Sequence, residues 1–115
     1  MSKISLKRHC LTLDLKEDKN VIKAYKKQHE KVWPEIEESL KASGIKSTEI
    51  YLTGNRLFMI LQVDTSFSFE KKAILDANNP KVQEWETLMW NYQKALPFAK
   101  PKEKWVLIDK IYQLK

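Results

Sequence analysis

The hydrophobic pattern changes its period along the chain, and the order of these changes limits the folds that are possible. From Lys7 to Leu15 apolar and polar residues alternate, which predicts a strand. Apolar residues then recur at three- and four-residue steps from Ile22 to Leu40, which predicts a long amphipathic helix that ends near Gly44. The chain up to about Gly44 therefore indicates a strand followed by a helix.

Pro34 interrupts this helical stripe. A proline inside a helix removes a backbone hydrogen bond, so we expect the helix to bend or break after Val32 or Trp33 and to form two helices. Asp18 or Asn20 is the expected N-cap of the first of them.

The rest of the chain predicts a hairpin, two helices and a last strand. The two hairpin strands are joined by Thr53-Gly54-Asn55, a short connection, and Asn79-Pro80 supplies a capping side chain followed by proline at the first helical position. The predicted elements are strands over 47–52 and 56–63, a helix from Ser66 or Ser68 to Ala77, a helix from Pro80 to about Lys94, and a strand over 104–114.

The order β-α-β-β-α-β predicts an α+β fold of the ferredoxin-like type, with a four-stranded antiparallel sheet and helices on one face. A chain of 115 residues forms one domain, here residues 1–115. Nothing is left over to cover the second face of the sheet. We therefore expect a symmetric homodimer, in the arrangement of a dimeric α+β barrel.

Composition argues against several classes of partner and cofactor. The 21 basic and 15 acidic residues interleave at helical spacing, so no basic patch for nucleic acid is expected. No apolar run is long enough to cross a membrane, the N-terminus does not resemble a secretion signal, and the single cysteine, Cys10, fits a reducing, cytoplasmic compartment. With two glycines and with His9 and His29 as the two histidines, neither a phosphate-binding loop nor a metal site is expected, and no cofactor.

The residues that remain as candidates for chemistry are aromatic and titratable. Tyr25, His29 and Trp33 follow one another at four-residue steps, so on one helix their side chains would lie along a stripe that faces the sheet. A lone histidine on a mostly apolar helix face is more often a hydrogen-bonded core residue. The chain has four tryptophans and four tyrosines, however, and their flat apolar faces with polar edges suit a sugar ring.

Three segments, AYKKQHEKVWPEIEESLKASG, NPKVQEWETLMWNYQKALP and EKWVLIDKIYQL, resemble the L-rhamnose mutarotase family, and the resemblance covers nearly the whole chain. It implies a dimeric ferredoxin-like α+β fold and an isomerase that interconverts the α and β anomers of a reducing L-sugar without a metal. It also implies that His29 is the proton donor and that Tyr25 binds the sugar.

Two positions depart from the best-known members of that family. Thr48 stands where those have a sugar-binding tyrosine, and Glu86 stands where they have the second residue of a Trp-Trp pair. L-rhamnose and L-fucose therefore both remain candidate substrates. Our hypothesis is that His29 protonates the ring oxygen, that Glu86 is a candidate second acid-base group, and that the sugar is bound by Tyr25, Thr48, Tyr51, Trp85 and Glu86.

Two other interpretations share the predicted layout. One is a ferredoxin-like dimeric monooxygenase, which would use the same helix histidine or aromatic pocket for an oxidisable ligand. The other is a non-catalytic module that binds a small ligand, in which His29 would be structural.

Overall fold

An antiparallel sheet forms the centre of the computed structural model, which describes residues 6–101 and 103–115. Its strands follow one another along the sheet in the order β2-β3-β1-β4, and β5 also pairs with β1. The strands are β1 (Lys7–Leu15), β2 (Ile45–Thr53), β3 (Arg56–Val63), β4 (Gln93–Lys94) and β5 (Val106–Ile108). The predicted bounds of β1 and β3 are confirmed, and β2 is slightly longer than expected.

The free edge of β1 is shared by two short strands rather than by one long strand. β5 pairs with Cys10, Leu11 and Thr12, and β4 pairs with Asp14 and Leu15. The predicted strand over 104–114 is therefore wrong except at Val106–Ile108. The predicted last helix was also too long, because pairing of residues 93 and 94 with β1 overrides the helical pattern there.

Four helices cover one face of the sheet: α1 (Lys19–Gln28), α2 (Pro34–Ala42), α3 (Phe69–Ala77) and α4 (Pro80–Met89). Three of them begin at the side chains that the sequence indicated. The Asp18 carboxylate accepts from two backbone N–H groups of α1, the Ser68 hydroxyl accepts from one of α3, and the Asn79 amide oxygen accepts from two of α4.

The stripe of Tyr25, His29 and Trp33 does not lie on one helix, contrary to the prediction. α1 ends at Gln28 with His29 as its C-cap, and Pro34 is the first residue of α2. Proline lacks the N–H that a helix interior needs and disfavours helical backbone in the residue before it, and Trp33 is accordingly extended, with φ of −57° and ψ of 135°. The break therefore falls several residues earlier than expected.

The core lies between the inner face of the sheet and the helices. Leu13 and Leu15 of β1 are completely buried there. The helices contribute Tyr25, Ile36, Val82, Trp85 and Met89 to the same apolar cluster. Burial of this face fixes the register of the strands, because a shift of one residue would turn the inward side chains of a strand toward the other face.

The opposite face of the sheet is partly apolar. Tyr51, Phe58, Thr12 and Val106 lie in one row across four strands, and Tyr51 is 52% and Phe58 38% exposed. Thr12 is buried, so the exposed apolar part of the row is Tyr51 and Phe58. Past β5 the chain carries further exposed apolar side chains, at Ile111, Tyr112 and Leu114. Within the described ranges no helix combines the length and the hydropathy that crossing a membrane requires.

Candidate functional site

A cavity of about 440 Å³ opens between the inner face of the sheet and the helices. This volume lies in the range of small-molecule sites. Strands β2 and β3 form its floor, and all four helices contribute to its walls. Five of the candidate site residues line it: Tyr25, His29, Thr48, Trp85 and Glu86.

His29 lies at the end of α1, where its side chain is held by the backbone of the same turn. Its Nδ1 is 2.9 Å from the Tyr25 carbonyl oxygen. Because a carbonyl only accepts, Nδ1 carries the hydrogen and donates it, and the neutral ring keeps its lone pair on Nε2. Burial lowers the pKa of His29 below its ordinary value of 6.5, although the hydrogen bond to the Tyr25 carbonyl opposes this shift. At pH 7 His29 is therefore a neutral base.

Tyr25 lies directly beside His29, with 4.3 Å between the ring centroids. Burial raises the pKa of Tyr25 to about 12, a hydrogen bond from the Gln93 side chain opposes the shift, and the charge of Glu86 adds to it. The hydroxyl of Tyr25 is therefore protonated at any physiological pH. The site thus places a neutral base and a protonated hydroxyl side by side.

Trp85 of α4 closes the cavity on the side of His29. The two rings meet edge to face with their centroids 5.6 Å apart, and Trp33 contacts Trp85 in the same manner at 5.1 Å. Trp33 thus reaches the predicted neighbourhood although the helix breaks before it. The indole of Trp85 supplies a flat apolar surface of the kind that packs against the C–H groups of a sugar.

Glu86 lines the cavity but is not a free carboxylate. Lys104 lies in the segment before β5, and its Nζ donates to Glu86 Oε2 at 2.6 Å and to the Glu86 carbonyl at 3.2 Å. The Lys104 ammonium also lies 4.8 Å from the centre of the Trp90 ring. Sequence analysis missed Lys104, because no local pattern indicates that a loop returns it to a position 18 residues earlier.

Thr48 and Tyr51 lie on opposite faces of β2, because side chains alternate along a strand and the two residues are three positions apart. Thr48 faces the cavity. Tyr51 is on the outer face, where its hydroxyl donates to Glu49 Oε2 at 2.6 Å. A bulge interrupts β2 between Ile45 and Ser47, ahead of both residues, so it does not bring Tyr51 inward. The described structure therefore does not bring Tyr51 to the other candidate residues.

Sequence analysis did not single out five polar residues that line the cavity: Glu37, Ser39, Lys72, Asp76 and Gln93. Lys72 and Asp76 form an ion pair along α3 at one wall. Gln93 of β4 lies at the buried end, beside Leu15. A glutamine in an otherwise apolar stripe is a signal that could have indicated Gln93. The helical pattern alone, however, placed Gln93 inside the predicted last helix.

Comparisons with known proteins agree on one family. A family model described as L-rhamnose mutarotase matches residues 8–114. The chain is 42% identical over 113 residues to an L-fucose mutarotase of Xanthomonas campestris, covering 96% of this chain and 90% of that protein. It is 33% identical over 90 residues to an L-rhamnose mutarotase of Listeria monocytogenes, covering 74% of this chain and 76% of that protein.

The fold is similar to a crystal structure of an L-rhamnose mutarotase from Formosa agariphila. The TM-score is 0.70 at 22% sequence identity, over 95% of this chain and 99% of that one. This similarity confirms the α+β fold class. Together with the family match it favours the mutarotase hypothesis over the monooxygenase and the non-catalytic module.

Proposed function

The chain belongs to the L-rhamnose mutarotase family, and we propose that it is an isomerase that interconverts the α and β anomers of a free L-deoxyhexose in the cavity around His29. The observation that carries this proposal is the pair formed by His29 and Tyr25. Burial holds one group neutral as a base and the other neutral as an acid, with 4.3 Å between their rings.

Exchange of anomers requires the sugar ring to open and close again. In the direction of opening, His29 Nε2 takes the proton of the anomeric hydroxyl, the bond between C1 and the ring oxygen breaks, and the Tyr25 hydroxyl delivers a proton to that oxygen. Rotation about the C1–C2 bond turns the other face of the aldehyde toward the ring hydroxyl. Closure reverses both transfers. His29 then donates its proton to the aldehyde oxygen and not to the ring oxygen, to which the sequence hypothesis had assigned it. No proton or electron is gained or lost over the cycle.

The remaining walls suit the parts of a deoxyhexose that do not react. Trp85 offers a stacking surface for the C–H face of the ring. An apolar wall formed by Val32, Ile36 and Ile50 suits the methyl group that replaces the C6 hydroxyl. Thr48 and Glu86 are the proposed partners of ring hydroxyls, with the Glu86 charge compensated by Lys104.

We propose L-fucose as the preferred substrate, with L-rhamnose second. The two sugars differ in the configuration of the hydroxyls at C2 and C4. The higher identity to the L-fucose mutarotase of Xanthomonas campestris supports this order. Two substitutions also support this order of substrates. Thr48 and Glu86 each stand where the best-known L-rhamnose enzymes have an aromatic side chain, so they change the contacts available to the sugar hydroxyls.

Exchange spectroscopy of the anomeric protons tests both the activity and the substrate. The purified protein is added in catalytic amounts to L-fucose, L-rhamnose, D-galactose and D-glucose, and the rate of α to β exchange is compared with the spontaneous rate. We expect acceleration for L-fucose first and L-rhamnose second. Exchange at the spontaneous rate for all four sugars would contradict the proposed activity, whereas preference for L-rhamnose would contradict the assignment of the substrate alone.

We further propose that two copies associate through the outer face of the sheet. Tyr51 and Phe58 are exposed next to each other on that face, and adjoining exposed apolar side chains are typical of an interaction surface. A twofold arrangement buries this row against its own copy. The cytoplasmic location expected from the sequence stays a prediction.

A further inference from the structure

Lys104 binds Glu86 from outside the cavity. Its Nζ donates to Glu86 Oε2 at 2.6 Å and to the Glu86 carbonyl oxygen at 3.2 Å, so the ammonium contacts both the side chain and the backbone of one residue. Glu86 lines the cavity, whereas Lys104 is not among its lining residues. Lys104 therefore acts on a ligand in the cavity through the carboxylate that it binds.

The lysine is the more buried member of this ion pair. The Lys104 side chain is 11% exposed and that of Glu86 is 43% exposed. The ammonium also lies 4.8 Å from the centre of the Trp90 ring, so three contacts fix its position. An ion pair between two solvent-exposed side chains has no such fixed geometry. Lys104 therefore holds one carboxylate oxygen of Glu86 in a defined place at the cavity wall.

The second carboxylate oxygen of Glu86 is left for a ligand. Within residues 6–101 and 103–115, the hydrogen bond to this carboxylate is received by Oε2, and Oε1 accepts none. An ionised carboxylate only accepts hydrogen bonds, and a sugar hydroxyl can donate one. Glu86 directly follows Trp85 along α4, and both residues line the cavity. A sugar packed on the Trp85 ring has its hydroxyls around its perimeter, so a carboxylate next to that stacking surface suits one of them.

We propose that Lys104 is a positioning residue for sugar binding: it fixes the Glu86 carboxylate so that the second oxygen of this group accepts a hydrogen bond from a sugar hydroxyl beside Trp85. This inference rests on the proposed function and extends it to a residue outside the cavity. It also assigns Glu86 to binding and not to proton transfer. The hydroxyl that Glu86 binds does not react, so the contact is equally strong before and during ring opening and affects KM rather than kcat.

Lys104→Met tests the inference, because methionine keeps most of the length of the side chain without the ammonium. We expect KM for L-fucose to rise about tenfold, the scale of one hydrogen bond to a charged group, with kcat little changed. Lys81→Met is the matched control. Lys81 also donates to a glutamate of α4, Glu84, at 3.3 Å and lies 5.8 Å from the centre of the Trp33 ring, but neither Lys81 nor Glu84 lines the cavity. Its KM should equal that of the wild type.

A double-mutant cycle with Glu86→Gln separates positioning from a general structural role. Glutamine keeps the size of Glu86 and an acceptor for Lys104 but lacks the charge, so we expect KM to rise about tenfold here too. In this background Lys104→Met should have little further effect, since the charge through which Lys104 acts is gone. An equal rise of KM in both backgrounds, or a loss of kcat with KM unchanged, would overturn the inference while anomer exchange by the wild type still stands. An unchanged KM of either single variant would overturn it as well, so Glu86→Gln remains a test if Lys104→Met does not fold. Absence of exchange by the wild type would overturn the proposed function itself.

Discussion

At the scale of single residues, one physical cause moves two pKa values in opposite directions. Burial disfavours the charged form of any group, which is the protonated form of His29 and the deprotonated form of Tyr25. Burial in the cavity thus keeps both groups neutral. Burial makes His29 resemble a core residue, and the same burial lowers its pKa, so that the neutral ring can accept a proton.

The dependence of the rate on pH follows from these directions. If neutral His29 opens the ring, kcat/KM rises with pH until the lowered pKa of His29 is passed and is then level through neutral pH, because Tyr25, with a pKa of about 12, stays protonated. Below the pKa of His29 we expect a loss of about tenfold for each pH unit. A rate that falls as pH rises from about 6 to 8 would instead indicate that imidazolium is the acid.

Tyr25→Phe removes the proposed acid and keeps the ring that packs against His29. We expect kcat to fall by roughly 10²-fold, the lower range for a lost general acid, with only a small change in melting temperature. Tyr51→Phe is the matched control, because it removes a tyrosine hydroxyl from the outer face of the sheet. Normal activity of Tyr25→Phe would exclude Tyr25 as the acid, and reduced activity of Tyr51→Phe would show that the outer face contributes to the site.

At the scale of secondary-structure elements, capping side chains hold the helices that carry the site. α4 carries Trp85 and Glu86. Its N-cap is Asn79, whose side chain accepts from the backbone N–H groups of Lys81 and Val82. Asn79→Ala should lower the free energy of unfolding by about 1 kcal/mol, as measured by urea denaturation. Asn91→Ala, at an exposed position past the end of α4, is the control. Equal stability of both variants would contradict the role of the cap.

Local patterns predicted those elements whose ends are marked by local chemistry. The bounds of β1 and β3, the break associated with Pro34 and the caps at Asp18, Ser68 and Asn79 followed from alternation, proline geometry and capping side chains.

Periodicity did not predict the elements that depend on tertiary contacts. Trp33 packs against the same core as Tyr25, although it follows the end of α1. Its four-residue spacing from His29 therefore does not mean that the three residues share one helix. Gln93 leaves the helical pattern because it pairs with the edge of β1. Lys104 reaches Glu86 through a loop, and no local signal specifies that contact.

At the scale of the whole molecule, the proposed dimer depends on contacts between the outer faces of two sheets. Phe58→Lys places a charge at the middle of the exposed row, which a twofold interface would have to bury without a partner. We expect a wild-type dimer and a monomeric variant in sedimentation velocity. Ile74→Lys is the control, because Ile74 is 64% exposed on α3, away from the sheet. A monomeric wild type, or a Phe58→Lys protein that stays dimeric, would contradict this interface.

The most direct test of the whole account is the rate of anomer exchange of L-fucose by the wild type and by His29→Gln, measured side by side on the anomeric protons at equal concentrations of folded protein. Glutamine keeps a polar side chain of similar size at the end of α1 and cannot exchange a proton. We predict that kcat/KM falls by roughly 10²–10⁴-fold. Exchange by His29→Gln at the rate of the wild type would contradict the central claim that His29 transfers the proton.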